Sequence, residues 1–227
     1  MTKQQIPKLT GQLVEHQDRF SDLTDQEAQW AILNTTAAIA VCVSAIKSAY
    51  AALNKLLEFI GTVAVAATTG KFVAREKFVV NTSRETPVKI SYVGDNFTAW
   101  FLSGVGKTED PITATTLRYD RLRSASVDAP IITELGGETK AGTTLTEIYS
   151  LMEKQPNGQK GALLNNGWWN IFYVRDSAGV LRAVRVGWGG ACWGVSARSV
   201  GSPRRWRDGD QVFFRNSALE SSATAAA

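Results

Sequence analysis

The 227-residue chain reads as an α+β protein: a long oligomerising N-terminal helix, an antiparallel β domain, and a small C-terminal α+β domain. Three observations predict this. Apolar residues recur at heptad spacing between Thr24 and Ile60. From Lys71 onward, short β-branched and aromatic runs alternate with Gly, Asn, Asp and Ser turns. A hairpin pattern at 170–188 follows a helical pattern at 144–154. The expected boundaries are 1–70 for a helical stalk, 71–140 for the β domain, 141–217 for the C-terminal domain, and 218–227 for a disordered tail.

Composition sets the outer limits. Hydrophobic residues make up 44% and charged residues 20%, enough apolar material to bury a core and too little charge for wholesale disorder. The net charge of +4 is unevenly spread. Arginines 175, 182, 185, 198, 204, 205, 207 and 215 fall in a span without lysine, opposed by Asp176, Asp208 and Asp210. Guanidinium groups fork onto carboxylates, phosphates and polar ligands. The first twenty residues lack an apolar run, so no secretory signal is expected.

The elements follow in order. Leu9, Leu13, His16, Phe20 and Leu23 have the four-three spacing of a helix with one buried stripe. Thr24 and Glu27 form the sequence of a capping box, which starts a second helix. Ile32, Ile39, Ile46, Leu53 and Ile60 recur every seven residues, with Val43, Tyr50 and Leu57 on the companion positions. These are the expected oligomerisation residues of a coiled coil, and isoleucine at d favours three or more strands. The flanking positions carry almost no charge, so the helix expects burial by partner chains or, less well given Asn34, Thr35, Thr36 and Lys47, by lipid. Beyond it, 71–83, 86–94, 96–104, 115–127 and 129–135 read as strands. A helix is expected from Thr144 to Lys154, a hairpin from 170–175 and 180–188 about Asp176–Gly179, and a closing strand at 211–215.

Several chemistries find little support. Cys42 and Cys192 lie far apart, without metal-ligand spacing or a disulfide framework, and no metal or cofactor is expected. His16 is the single histidine, which leaves Ser/His/Asp and Cys/His catalysis one remote base. Gly106-Lys107-Thr108 lacks phosphate-loop spacing and reads as a turn. Asp208 with Asp210, or Glu134 with Glu138, are the only carboxylate pairs singled out for a glycan-cleaving reaction, and two acids in a loop are common by chance.

The candidate site is the tryptophan-rich last third: Trp168, Trp169, Trp188, Trp193 and Trp206. Alternation through Trp193, Val195 and Ala197 points Trp193 inward, and Trp188 ends its strand beside Gly189-Gly190 near the surface. On a strand, Trp168 and Trp169 cannot both face inward. Indole rings fill cores and also stack on sugars, so Trp188, Trp193, Arg198 and Trp206 are the expected ligand contacts. Arg198, Arg204, Arg205 and Arg207 are either a solvated surface or a cluster for acidic sugars or lipopolysaccharide phosphates.

A helical bundle followed by β-rich domains and an aromatic tip resembles bacteriophage fibre and receptor-binding proteins. The segment "NIFYVRDSAGVLRAVRVGW…WGVSARSV…RRWRDGDQVFFRNS" is similar to the C-terminal ends of tail-fibre-like proteins of enterobacterial phages and prophages. "GWGGACW" and "SPRRWRDGD" also resemble C-type-lectin-like display domains, without their usual closing Gly-aromatic-Arg. The fibre resemblance implies a homotrimer joined through its helices and enclosed by other virion proteins. A host-surface glycan or lipopolysaccharide is the expected partner, and no nucleic acid is expected, since the net charge is low and no recognition helix appears. The same resemblance implies a non-enzymatic adhesion protein of the virion. A connector without ligand is the rival of the same kind, and a polysaccharide depolymerase the rival of another.

Overall fold

The computed structural model describes residues 5–53 and 55–215, which form two compact units divided at Asn54 and Lys55. The expected tail at 218–227 lies outside the described residues.

The first unit is helical. Helix α1 (Gln5–Glu15) gives way to a 3-10 turn (Gln17–Asp22), so the predicted stripe from Leu9 to Leu23 is not one helix. Helix α2 (Asp25–Leu33) begins at the predicted cap: Glu27 N–H donates to Thr24 Oγ1 at 3.3 Å and Thr24 N–H to Glu27 Oε2 at 2.8 Å. The long rod is then broken. Helix α3 (Thr35–Leu53) leaves α2 at 106°. The break sits where side chains compete for backbone carbonyls, with Asn34 Nδ2 donating to Trp30 O and Thr35 Oγ1 to Ile32 O. Ile39, Val43, Ile46, Tyr50 and Leu53 ride on α3, about 28 Å of helix at 1.5 Å per residue, and Ile32 belongs to α2. All six are exposed in the single chain. Among the described residues no single helix is long and apolar enough to cross a membrane; only the bent α2–α3 pair has the composition.

Leu57 and Ile60, expected in that coiled coil, are strand residues. Strand β1 (Leu57–Val65) pairs antiparallel with β5 (Thr115–Leu122), Leu57 opposite Leu122. The heptad period yields to Ile60, Thr62, Val63 and Val65, whose branched side chains suit a pleated surface, and to partners supplied by a distant segment. A bulge between Phe59 and Gly61 reverses the alternation, so Leu57 faces one side of the sheet and Val65 the other.

Between β1 and β5 lie β2 (Phe72–Val73), α4 (Ala74–Lys77), β3 (Ile90–Val93), α5 (Asp95–Phe97) with a π-type turn (Thr98–Leu102), and β4 (Thr108–Glu109). After β5 come α6 (Asp128–Glu134), α7 (Glu138–Ala141), β6 (Gly142–Thr143), α8 (Leu145–Glu153), β7 (Asn170–Arg175), β8 (Leu181–Trp188), β9 (Trp193–Ser199) and β10 (Gln211–Arg215). Two segments expected as strands are therefore helical. Residues 95–102 bury Phe97 and Phe101 four apart, and 128–134 bury Ile131 and Ile132 with Leu135 following, which is helical spacing. Of 71–83, only Phe72–Val73 is a named strand.

The eight-stranded sheet runs β1-β5-β10-β7-β8-β9-β3, with β6 on β7. It is mixed: β10–β7, β3–β9 and β6–β7 are parallel, where an antiparallel domain was expected. Strands from 71–140 and 141–217 share it, so the expected boundaries at 70 and 140 fall inside one unit. Each face carries a core. One packs Phe78, Phe97, Phe101, Tyr149 and Met152 against Phe172, Val184, Val186, Trp193 and Phe213. The other packs Ile131, Ile132, Leu135 and Trp206 against Ile171, Tyr173, Leu181, Ala183 and Val212. Helix α8 falls within the helix expected at 144–154 and carries a second capping box, Thr144 with Glu147.

Candidate functional site

The second face is not covered to its end. Along β8, Ala183, Arg185 and Gly187 share that face, and their partners on β9 are Arg198, Ser196 and Gly194. Tyr92 of β3 lies opposite Gly194. Gly194 leaves bare backbone as the floor of a cleft of about 240 Å³, lined by Tyr92, Trp168, Trp169 and Trp188.

Two of the walls are seated on glycines. The Trp169 ring lies on Gly187, where a Cβ would come within 2.5 Å of its Cζ3. The Arg185 guanidinium stands over the same indole, 4.2 Å from its centroid. Trp188 lies on Gly158, whose φ of +62° and 2.1 Å approach to Cε2 admit only glycine. Gly194 is different: a Cβ there meets nothing nearer than 3.8 Å. Tyr92, at 57% exposure, is the one large apolar wall that projects into solvent.

Fully buried Asp210 holds the tryptophan loop in place. It accepts from Trp169 N–H at 2.9 Å and Arg207 N–H at 2.8 Å, and Arg207 in turn caps the Trp168 ring at 4.4 Å. Both Asp210 oxygens are thus engaged with backbone, while Asp208 is exposed. Glu134 accepts from the amides of Leu56 and Leu57 at the start of β1, and Glu138 pairs with Arg175 at 3.1 Å. Trp168 and Trp169 are both half-buried, in the loop before β7, so the strand argument for placing one outside does not apply.

Two expected ligand contacts are core. Trp193 is fully buried, donates from Nε1 to Gln155 O at 3.0 Å, and meets Trp188 edge-on at 5.1 Å. Trp206 is buried by Asp128, whose Oδ1 accepts from its Nε1 at 2.6 Å and from Tyr173 Oη at 3.0 Å. Burial raises the Asp128 carboxyl above its ordinary pKa, against the opposing pull of Trp206, Arg198 and Tyr173. The Tyr173 hydroxyl is raised well above its own, by burial and then by Asp128. Of the four expected contacts, Trp188 lines the cleft, and Arg198 lines a second, adjoining pocket.

That second pocket, about 580 Å³, shares Tyr92 with the first. Arg185, Ser196, Arg198 and Arg204 line it, with Asp95 and Trp100 on other walls. The expected four-arginine cluster divides: Arg205 donates to Ala125 O and Arg207 to Gly167 O, away from it. Arg185, Tyr92 and Gly194 were not singled out in sequence; the visible signal was the alternation Arg185-Val-Gly187 and Gly194-Val-Ser196.

Fold and site together define a mixed α/β unit with an aromatic cleft beside an arginine-lined pocket, preceded in the chain by a separate helical unit. Comparison of the chain with protein-family models, with curated proteins and with solved structures found no match. Among the described residues no group of His, Cys, Asp or Glu has the makings of a metal site.

Proposed function

We propose that the chain is a non-enzymatic structural and adhesion component of a phage-like virion, trimerising and attaching through residues 5–53 and binding a host-surface glycan with residues 55–215. The aromatic cleft carries this reading. Tyr92 stands exposed beside the Gly194 backbone, with Trp168, Trp169 and Trp188 lining the same cleft, a geometry suited to the C–H face and hydroxyls of a sugar. The helical unit supports the assembly part: Ile39, Val43, Ile46 and Leu53 expose a repeating apolar stripe, which water disfavours and a second copy would cover.

Binding of the purified protein to arrayed glycans and to lipopolysaccharide tests the cleft. Tyr92→Ala removes an exposed wall and Gly194→Val fills the floor, and each is expected to weaken binding by about tenfold, equivalent to ~1.4 kcal/mol. A folded double variant that binds like the parent removes the cleft as the site. Light scattering on the intact chain tests the assembly; a trimer that Ile39→Asp with Ile46→Asp converts to monomer is expected, and a monomeric parent refutes it.

A further inference from the structure

We infer that the pocket formed by Arg185, Arg198 and Arg204 is an oxyanion site, which takes the phosphate or carboxylate of an acidic sugar whose ring lies in the adjoining aromatic cleft. The sugar part rests on the adhesion reading above; the oxyanion part stands without it.

Arg185 projects from β8 into the pocket, half-buried, with no carboxylate within ion-pair distance among the described residues. Its Nε donates to Ser196 Oγ at 2.6 Å, which fixes the plane of the guanidinium, and its two terminal nitrogens have no hydrogen-bond partner within the described protein. Two other half-buried arginines of this unit are paired: Arg182 with Asp176 at 2.8 Å and Arg118 with Asp120 at 2.7 Å.

The neighbours compound the imbalance. Arg198 lines the same pocket; its one carboxylate is Asp128, at 3.0 Å, and its Nε is buried without a partner above the Trp206 ring. Arg204 lines the pocket with no ion pair. Burial and then the Arg198 charge draw the Arg185 guanidinium below its ordinary pKa, and Arg204 adds to this, while Tyr92 and Asp210 pull the other way. Asp95 reaches the pocket wall but lies beyond 4 Å from every arginine. Converging guanidiniums with free donors are disfavoured alone and match a tetrahedral or planar oxyanion, which accepts several charge-assisted hydrogen bonds.

The cleft adds the sugar. Gly187 lies two residues beyond Arg185 on the same strand face, about 7 Å away. Tyr92 borders both cavities. A sugar ring beside Tyr92, over Gly194, would place a substituent one bond outside the ring at the Arg185 guanidinium.

Calorimetric titration at fixed ionic strength, with inorganic phosphate, glucose 1-phosphate and glucose as probes, tests this. Phosphate is expected to bind, glucose 1-phosphate to bind about tenfold more tightly, and glucose more weakly than either. Arg185→Gln, which keeps an amide donor for Ser196, is expected to weaken both phosphate probes about tenfold, and Arg204→Gln to weaken them less. Arg84→Gln removes the same charge from an exposed loop position and is expected to change neither. Gly194→Val is expected to abolish the advantage of glucose 1-phosphate over phosphate and leave phosphate unchanged. The inference is overturned if neither phosphate probe binds, if folded Arg185→Gln binds like Arg84→Gln, or if glucose 1-phosphate binds no tighter than phosphate. Arg185-dependent phosphate binding by a protein that captures no arrayed glycan would fail the adhesion reading and keep the oxyanion site.

Discussion

Gly187 and Gly194 face each other across β8 and β9, yet substituting them should have opposite consequences. Both sit in strands without a positive φ, where exchanging glycine for alanine ordinarily helps by restricting the unfolded chain, about 0.4–1 kcal/mol. At Gly194 the new methyl has ordinary van der Waals separations of 3.8 and 3.9 Å, so Gly194→Ala should be neutral or slightly stabilising. At Gly187 the methyl lies 2.5 and 2.7 Å from Cζ3 and Cε3 of Trp169. The indole must lift from the sheet, losing its seat and the Arg185 guanidinium above it. Overpacking costs ~1–3 kcal/mol and the cation–π contact ~0.5–1 kcal/mol, so Gly187→Ala should destabilise by about 1–3 kcal/mol net of the chain-entropy gain. Urea unfolding followed by tryptophan fluorescence measures both variants; near-equal m-values would show that only stability changed. If Gly187→Ala is as stable as Gly194→Ala, with native fluorescence unaltered, the Trp169–Gly187 seat is not what shapes the cleft.

Two further outcomes separate core from surface. Trp193→Ala should cost ~3–5 kcal/mol by transfer and cavity terms, whereas Tyr92→Ala should stay within ~0.5 kcal/mol of the parent in the same urea titration; equal costs would contradict their assigned burial. Because burial lifts the folded Asp128 pKa above its unfolded value of about 3.9, the folded state holds that proton longer. Stability relative to Asp128→Asn should therefore fall as pH rises from that unfolded value through the raised folded one, then level off. A rising difference in that window would reverse the sign.

Sequence legibility followed the range of the interactions. The capping box at Thr24, the helix beginning after Thr144, the hairpin about Asp176–Gly179, and the inward turn of Trp193 were all readable, because their partners lie within a few residues or follow strand alternation. The residues from Leu57 to Val65 satisfy a heptad and a strand equally well on paper. Pairing with Thr115–Leu122 decided between them, as no local signal could. The same holds for Phe97 and Phe101, whose four-residue spacing counts only once a sheet exists to bury it.

The site shows the division most clearly. Sequence by itself determined that the last third is rich in tryptophan and arginine, and that Trp188 lies nearer the surface than Trp193. Only the tertiary structure decided that Trp206 is sealed by Asp128 and that Arg198 belongs with Arg185 rather than Arg205. It alone brought Tyr92 to the glycine floor, on a strand that lies far away in sequence and pairs with β9. A strand's own residues dictate which side chains share a face, but register between strands dictates which faces meet, and register depends on partners that no local stretch contains.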